Sequence, residues 1–301
     1  MHSNQAEQEA LNKKFLQLLQ SFDEANVQLA FTIAQGYPKQ PTSQSLHYQH
    51  YLKTYLELYQ CFCNKNVKYL QPKHVVRLNQ MEVLKSRRKE LTVIPASVGF
   101  LAHVMGLDMA RNRIAYLPAT IGQMKNLRTI NLRNNQLTTL PPEFGQLQQL
   151  EELRLYNNQL TQLPHTIGKL QHLKECWLYG NQLKDLPQCI VQLKKLTGMN
   201  LGGNRFTYFP SVITQLKQLE KLSFYGNQLT EVSEDIGQLS RLNYLDLGNN
   251  QLTSLPSGFG RLSQLKILSL YGNHFTTLPI AIPQLSQLED LNLSRNQLSN
   301  G

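Results

Sequence analysis

A strict period of 23 residues constrains this chain more than any other feature. Nine asparagines recur at that interval: Asn112, Asn135, Asn158, Asn181, Asn204, Asn227, Asn250, Asn273 and Asn296. Each lies in the frame L-x-x-L-x-L-x-x-N-x-L, and the copies follow one another without insertion or deletion. A fixed period of 20 to 50 residues is typical of a solenoid, in which each unit packs only against its neighbours.

Each repeat alternates apolar and variable residues, as a strand with one buried face requires. The asparagine marks the point where the chain leaves the strand, and its amide can bond backbone groups that the turn would leave unpaired. A Leu-Pro pair, Leu163-Pro164 in one copy, then begins the return segment. Because about seven apolar residues per repeat face one core, each coil gains roughly 10–20 kcal/mol before conformational entropy is counted.

The motif resembles the leucine-rich repeat family in its 23-residue form, which occurs in bacteria and in intracellular Ras-group-like proteins. The resemblance covers residues 81–301 and implies an α/β horseshoe solenoid with a parallel concave sheet. Residues 81–101 form a degenerate tenth copy, in which Lys89 replaces the asparagine and Ser86 replaces a strand leucine. Val232-Ser233 replaces Leu-Pro in one repeat, and we expect it to loosen that convex turn.

Residues 1–80 lack the period and are predicted to be helical. The apolar stripe of the first expected helix is Leu11, Phe15, Leu18, Leu19 and Phe22, and that of the second, which starts at a cap formed by Ser21 or Asp23 and stops at Gly36, is Val27, Ala30, Phe31 and Ala34. After a loop with Pro38 and Pro41, the third expected helix carries Tyr48, Tyr51, Leu52, Tyr55, Leu56, Tyr59 and Phe62. A fourth is expected after Pro72, with Val75, Val76 and Leu78. We expect this region to be an all-α capping domain, because an open solenoid needs a cover. The alternative is a separate recognition or targeting domain.

Composition excludes several classes of protein. The net charge of +10 is compatible with acidic partners, yet no long basic run is present. We expect a cytoplasmic protein without a membrane span, since no signal peptide, 18-residue apolar run or terminal cysteine cluster occurs. His47 and His50 lack a third ligand, and the Cys61–Cys63 spacing is too short for a zinc knuckle. With no catalytic or phosphate-binding motif, we expect neither enzymatic activity nor a metal or cofactor.

A strip of aromatic and basic residues is predicted on the concave strands, between the core leucines. Its members are Arg111, Arg133, Arg154, Tyr156, Trp177, Tyr179, Tyr225, Tyr244 and Tyr271. Tyrosine, tryptophan and arginine are enriched at binding hot spots. The alternative is that the repeated Tyr-Gly-Asn triplets reflect duplication and merely cover the sheet.

The sequence therefore predicts a non-enzymatic interaction module or scaffold that grips a protein partner with its concave face. One alternative is a nucleic-acid or polyanion binder, although Glu152, Glu175 and Asp246 interrupt the basic residues. Another is a fragment or regulatory part of a larger signalling protein or effector enzyme. The last repeat stops before its return half, so we expect either sequence beyond Gly301 or a homodimer formed through this open edge.

Overall fold

The computed structural model describes residues 2–36 and 43–299. The expected loop with Pro38 and Pro41 lies outside the described residues. Four helices open the chain: α1 (His2–Leu19), α2 (Glu24–Gly36), α3 (Ser43–Phe62) and α4 (Pro72–Asn79). The predicted cap of α2 is present, since the side chain of Asp23 accepts a hydrogen bond from the backbone N–H of Ala25 at 2.9 Å.

The solenoid follows as one sheet of ten parallel strands in sequence order. The strands are β1 (Val83–Lys85), β2 (Gly106–Asp108), β3 (Thr129–Asn131), β4 (Glu152–Arg154), β5 (Glu175–Trp177), β6 (Gly198–Asn200), β7 (Lys221–Ser223), β8 (Tyr244–Asp246), β9 (Ile267–Ser269) and β10 (Asp290–Asn292). Each strand pairs with the next at an offset of 23 residues, so equivalent positions stand side by side. The predicted α/β solenoid with a helical N-terminus is confirmed.

Short 3₁₀ turns line the opposite, convex side of the described coils. They span Ala96–Phe100, Ala119–Gln123, Pro142–Gln146, His165–Lys169, Gln188–Gln192, Ser211–Gln215, Glu234–Gln238, Ser257–Arg261 and Ile282–Gln284. The expectation of a loosened turn after Val232 is wrong. Ser233 takes the place of proline there, and its hydroxyl caps a turn of the usual five residues by accepting from the N–H of Asp235.

The N-terminal helices pack directly on the first coil. The ring of Phe100, on the first 3₁₀ turn, lies 5.6 Å from the ring of Tyr51 and 6.4 Å from that of Tyr55. Ser86, which departs from the apolar consensus, is buried, and its hydroxyl donates to the carbonyl of Cys61 at 2.7 Å. One continuous apolar core therefore runs from α1 to the last complete coil.

The predicted stripe on the first helix is incomplete. Phe15 and Leu19 are buried, but Leu11 is exposed. Phe22 follows the end of α1 and is exposed too, with its ring edge-on to the ring of His103. Only the part of the predicted stripe at Phe15, Leu18 and Leu19 therefore packs with the core.

The repeat asparagines form a buried ladder along the solenoid. Asn181 is typical: its side-chain amide donates to the carbonyls of Leu155 and Leu178 at 3.0 and 2.9 Å, and its oxygen accepts from the N–H of Leu160 at 3.0 Å. The other eight make the equivalent bonds, two of the three reaching back into the preceding coil. The asparagine thus connects neighbouring coils as well as closing its own turn.

The residue before each repeat asparagine adopts a left-handed backbone conformation. These residues are Arg111, Asn134, Asn157, Gly180, Gly203, Gly226, Asn249, Gly272 and Arg295, with φ between +50° and +68°. Glycine and asparagine tolerate this region best, which explains their frequency at the position. The Tyr-Gly-Asn triplets therefore carry a conformational requirement, in addition to any history of duplication.

At the far end of the sheet, β10 is an edge strand. Leu288, Leu291 and Leu293 are only half-buried there. Association through this edge, or further sequence beyond it, stays a prediction. Within the described ranges, no helix is long and apolar enough to cross a membrane.

Candidate binding surface on the concave sheet

The concave face is built from alternate residues of the strands. Leu153, Leu222 and Leu245 point into the core and are buried. The residues on either side of them, such as Arg154, point to the opposite face, as the period of two requires. Three parallel rows result, at six, four and two residues before each repeat asparagine.

A hollow of about 530 Å³ opens on this face over strands β5 to β9, and we call it the aromatic hollow. It is lined by Trp177, Tyr179, Met199, Asn200, Lys221, Leu222, Ser223, Tyr225, Asn243, Tyr244, Asp246 and Ile267. Of the three concave positions on the β6 coil, only Asn200 contributes a side chain to the hollow, because the other two are Gly198 and Gly202. The Glu175 carboxylate lies over Gly198 and the Tyr179 ring over Gly202, and aromatic side chains line much of the space that remains.

The rings of Tyr179 and Tyr225, which line the hollow, each pack against a glycine of the next coil. A Cβ atom on Gly202 would stand 2.9 Å from the ring of Tyr179, and one on Gly248 would stand 3.2 Å from the ring of Tyr225. The Tyr225 hydroxyl also accepts a hydrogen bond from the side chain of Asn249 at 2.6 Å. These contacts hold the rings in place before any ligand arrives, which reduces the entropy lost on binding.

Asp246 supplies a partly buried carboxylate to the wall of the hollow. Burial raises the pKa of Asp246, while hydrogen bonds from the Gly248 N–H and the Ser269 hydroxyl act in the opposite direction. Burial and the neighbouring Asp246 also raise the pKa of the Tyr244 hydroxyl. Asp246 takes part in none of the ion pairs formed within residues 2–36 and 43–299.

Glu175 lies on β5, beside the hollow, with its carboxylate over Gly198. Burial raises its pKa, and the positive charge of Lys221 lowers it. Its Oε2 atom is buried without a hydrogen-bond partner in the described part of the chain. The carboxylate of Glu175 is therefore only partly satisfied by its neighbours on the sheet.

Two of the three predicted arginines contact neighbours on the sheet. Arg154 donates to the carboxylate of Glu152 at 2.6 Å. Arg133 donates to the hydroxyl of Tyr156 and lies 5.6 Å over that ring, while its buried Nε has no hydrogen-bond partner in the described part of the chain. These contacts orient both guanidinium groups along the sheet.

The structure brings together only part of the predicted strip. Trp177, Tyr179, Tyr225 and Tyr244 line the aromatic hollow. The pairs Arg133–Tyr156 and Arg154–Glu152 lie on the strands before it, while Tyr271 lies beyond it under the side chain of Arg295, 5.3 Å from the ring centre. Arg111 lies at an exposed turn of the second coil. Whether any of these residues contacts a partner stays a prediction.

Sequence reasoning missed Asn200, Lys221, Ser223, Asn243 and Ile267 as lining residues. The available signal was the pair of glycines at 198 and 202, which lets side chains of the preceding coil spread over β6 where neighbouring repeats carry large residues. Among the described residues, no group of three or more His, Cys, Asp or Glu side chains is arranged to hold a metal ion.

Two family models match the chain. One, described as a leucine-rich repeat region, covers residues 44–159 and 152–242. The other, described as leucine rich repeat, covers residues 240–298. The first match begins within α3, so it includes α4 and most of α3 together with the solenoid. Comparison with curated proteins gives no significant match.

Several solved structures are similar over about three quarters of the chain. A leucine-rich repeat protein of Leptospira interrogans is 36% identical over 74% of this chain and 62% of its own, with a TM-score of 0.67. The ectodomain of the membrane receptor kinase GASSHO1/SCHENGEN3 from Arabidopsis thaliana, in complex with Casparian strip integrity factor 2, is 34% identical over 75% of this chain, with a TM-score of 0.66. The Toll–Spätzle complex of Drosophila gives 26% identity over 71% of this chain and a TM-score of 0.63. The matched regions span 62%, 28% and 29% of those three chains.

Proposed function

The chain belongs to the leucine-rich repeat family, and from this premise we propose that its concave sheet recognises a protein partner through the aromatic hollow. Leucine-rich repeat proteins generally mediate protein–protein interaction, and the fold is typically a non-enzymatic module. The finer proposal concerns where the partner binds. It rests on one observation: four aromatic side chains from three different coils surround a gap on an otherwise continuous sheet.

The chemistry of the hollow suits a protein segment. Tryptophan and tyrosine offer large apolar contact areas that lose little side-chain entropy on binding. The floor adds the amides of Asn200 and Asn243 and the hydroxyl of Ser223, which can bond a peptide backbone. Two similar solenoids, from Arabidopsis and Drosophila, are each in complex with a second component, Casparian strip integrity factor 2 and Spätzle. This supports a recognition role for the solenoid here.

The test is affinity capture from the source cells with the whole chain as bait. Wild type is compared with a Trp177→Ala, Tyr179→Ala double variant and with a matched Tyr116→Ala, Tyr208→Ala control. Tyr116 and Tyr208 are exposed but lie outside the strands. We expect to capture a protein that binds wild type and the control variant with equal affinity. Its affinity for the double variant should be at least about 30-fold lower, as the loss of a hot spot implies.

Trp177 provides an independent readout, because it is the only tryptophan in the chain. Its fluorescence should change when the captured partner is titrated into wild type. Equal affinity of the double variant and wild type would refute binding at the hollow and would make the N-terminal helices the next surface to examine.

The salt dependence of binding distinguishes the polyanion alternative from the proposed protein partner. A nucleic-acid ligand that contacts several basic residues loses affinity steeply as salt rises. Because Arg154 and Arg87 are already bonded to Glu152 and Asp108, we expect a shallow dependence. A steep dependence together with capture of nucleic acid would favour the alternative.

A further inference from the structure

We propose that the aromatic hollow takes up a cationic side chain, arginine or lysine, from the partner. This inference rests on the proposed function and specifies the chemistry of the same site. The argument combines the aromatic walls, the unpaired carboxylate of Asp246 and the balance of charge around the rim.

The first support is the aromatic enclosure. Trp177 and Tyr179 close one end of the hollow, Tyr225 lies along one rim and Tyr244 along the other. The face of an aromatic ring carries partial negative charge and attracts cations. Because Trp177 and Asp246 lie at opposite ends of the hollow, a cation held near Asp246 would lie beside Tyr225 and Tyr244, while Trp177 would pack on the rest of the bound segment. A guanidinium group also stacks flat on the face of an aromatic ring, whereas a neutral aliphatic side chain has no planar group that could do so.

The second support is the carboxylate opposite Trp177. These two residues occupy the same row, with Asn200 and Ser223 between them, so their strands stand about 14 Å apart at the usual strand spacing. Asp246 is partly buried and bonded only to neutral groups, the Gly248 N–H and the Ser269 hydroxyl. A buried charge without a counterion is costly, and a ligand cation would supply the counterion.

The third support is the charge at the rim. Lys221 is the only cation among the lining residues, and its side chain is exposed. Its charge acts on Glu175 two strands away, and Glu220 adds a further negative charge nearby. Among the lining residues the charge of Lys221 is matched by that of Asp246, whose side chain is the less exposed of the two. Two further carboxylates, Glu175 and Glu220, lie close enough to interact electrostatically around Lys221, so the surroundings of the hollow do not favour an anionic ligand.

The size of the hollow also fits. At about 530 Å³ it exceeds the volume of one side chain, so a long cationic side chain can enter together with part of the backbone that carries it. The polar floor at Asn200 and Asn243 then faces that backbone. The aliphatic stem of arginine or lysine would lie against Ile267, which also lines the hollow and is exposed.

The experiment is a selection from a random heptapeptide library displayed on phage. The whole chain is the target, and peptides that also bind the Trp177→Ala, Tyr179→Ala variant are removed. We expect the remaining peptides to share one arginine or lysine. The best peptide is then titrated against wild type with Trp177 fluorescence as the signal, beside the same peptide carrying neutral citrulline or norleucine in place of the cation.

We expect the neutral peptide to bind about tenfold more weakly. Asp246→Asn should weaken the binding of the cationic peptide by a similar factor. It should leave the binding of the neutral peptide unchanged, because the amide oxygen still accepts the hydrogen bond from the Gly248 N–H and so preserves the local structure. Lys195→Gln, at an exposed residue outside the hollow, should weaken the binding of neither peptide. Circular dichroism and thermal unfolding establish that both variants are folded.

Two results would overturn the proposal in different ways. Peptides that depend on Trp177 and Tyr179 but share an acidic or purely aliphatic residue, or that bind Asp246→Asn normally, would refute the cationic ligand and leave the proposed function standing. A selection that yields no peptide dependent on Trp177 and Tyr179 would count against both.

Discussion

Replacing Asn181 with alanine tests the physical role assigned to the asparagine ladder. The substitution removes three hydrogen bonds to buried backbone groups. The consequences differ among those groups. The carbonyl of Leu155 keeps its bond from Asn158, and that of Leu178 keeps its bond from Asn204. Only the Leu160 N–H loses its side-chain partner outright.

The expected loss of stability follows from that one stranded donor. An unsatisfied buried polar group costs about 1–3 kcal/mol. The two carbonyls lose one of two partners each and so add little. We therefore expect Asn181→Ala to lower the free energy of unfolding by about 1–3 kcal/mol, well below what three complete hydrogen bonds would suggest.

Asn296 is the informative comparison. Its three bonds match those of Asn181 in number and length, because the ladder reaches back to the preceding coil. Its bonding is therefore the same as that of Asn181, but within the described residues Asn296 is only half-buried, so water can replace the lost side chain. We expect Asn296→Ala to cost less than half as much as Asn181→Ala.

Urea unfolding followed by circular dichroism and by Trp177 fluorescence measures both losses. Gln159→Ala is the control, since the Gln159 side chain is exposed and its backbone N–H bond to Leu137 is retained. Equal losses for Asn181→Ala and Asn296→Ala would refute the argument that burial sets the cost. A loss for Gln159→Ala as large as that for Asn181→Ala would show that the ladder has no special role.

Three further substitutions test other parts of the fold by thermal unfolding. Ser86→Ala removes the bond to the Cys61 carbonyl and should cost about 1–2 kcal/mol; an unchanged Tm would mean that this bond does not hold the helices to the solenoid. Ser233→Ala removes the N-cap of its turn and should cost about 1 kcal/mol, which a neutral result would contradict. Gly168→Ala places a Cβ 2.4 Å from the carbonyl oxygen of Cys189, so it should cost roughly 1–3 kcal/mol unless the convex turns can separate freely.

Most of the fold follows from the sequence, because its determinants are local and repeated. Alternation around Leu153 decides which face of the strand is buried, whatever the neighbouring coil contains. The asparagine and its left-handed predecessor decide where each strand ends. Copying this unit at a constant interval then requires a stack of parallel strands, because one coil cannot bury its own faces.

Local departures were harder to interpret from sequence. Ser233 replaces a proline, yet its hydroxyl provides a cap that keeps the turn intact. Ser86 replaces a leucine, but it is satisfied by a carbonyl 25 residues earlier in the chain. In both cases the compensating contact depends on a side-chain orientation or on a distant segment that the repeat pattern does not specify.

The candidate site divides in the same way. The sequence alone determined which side chains face the concave side, since strand alternation requires nothing beyond the strand itself. Only the tertiary structure decided that Trp177, Tyr179, Tyr225 and Tyr244 enclose one hollow, and that Arg154 is bonded to Glu152. The hollow depends on how the side chains of neighbouring coils spread over the glycines of β6, and charge pairing depends on rotamers chosen among several neighbours. Both are settled by packing between coils, which is the level at which this surface acquires its chemistry.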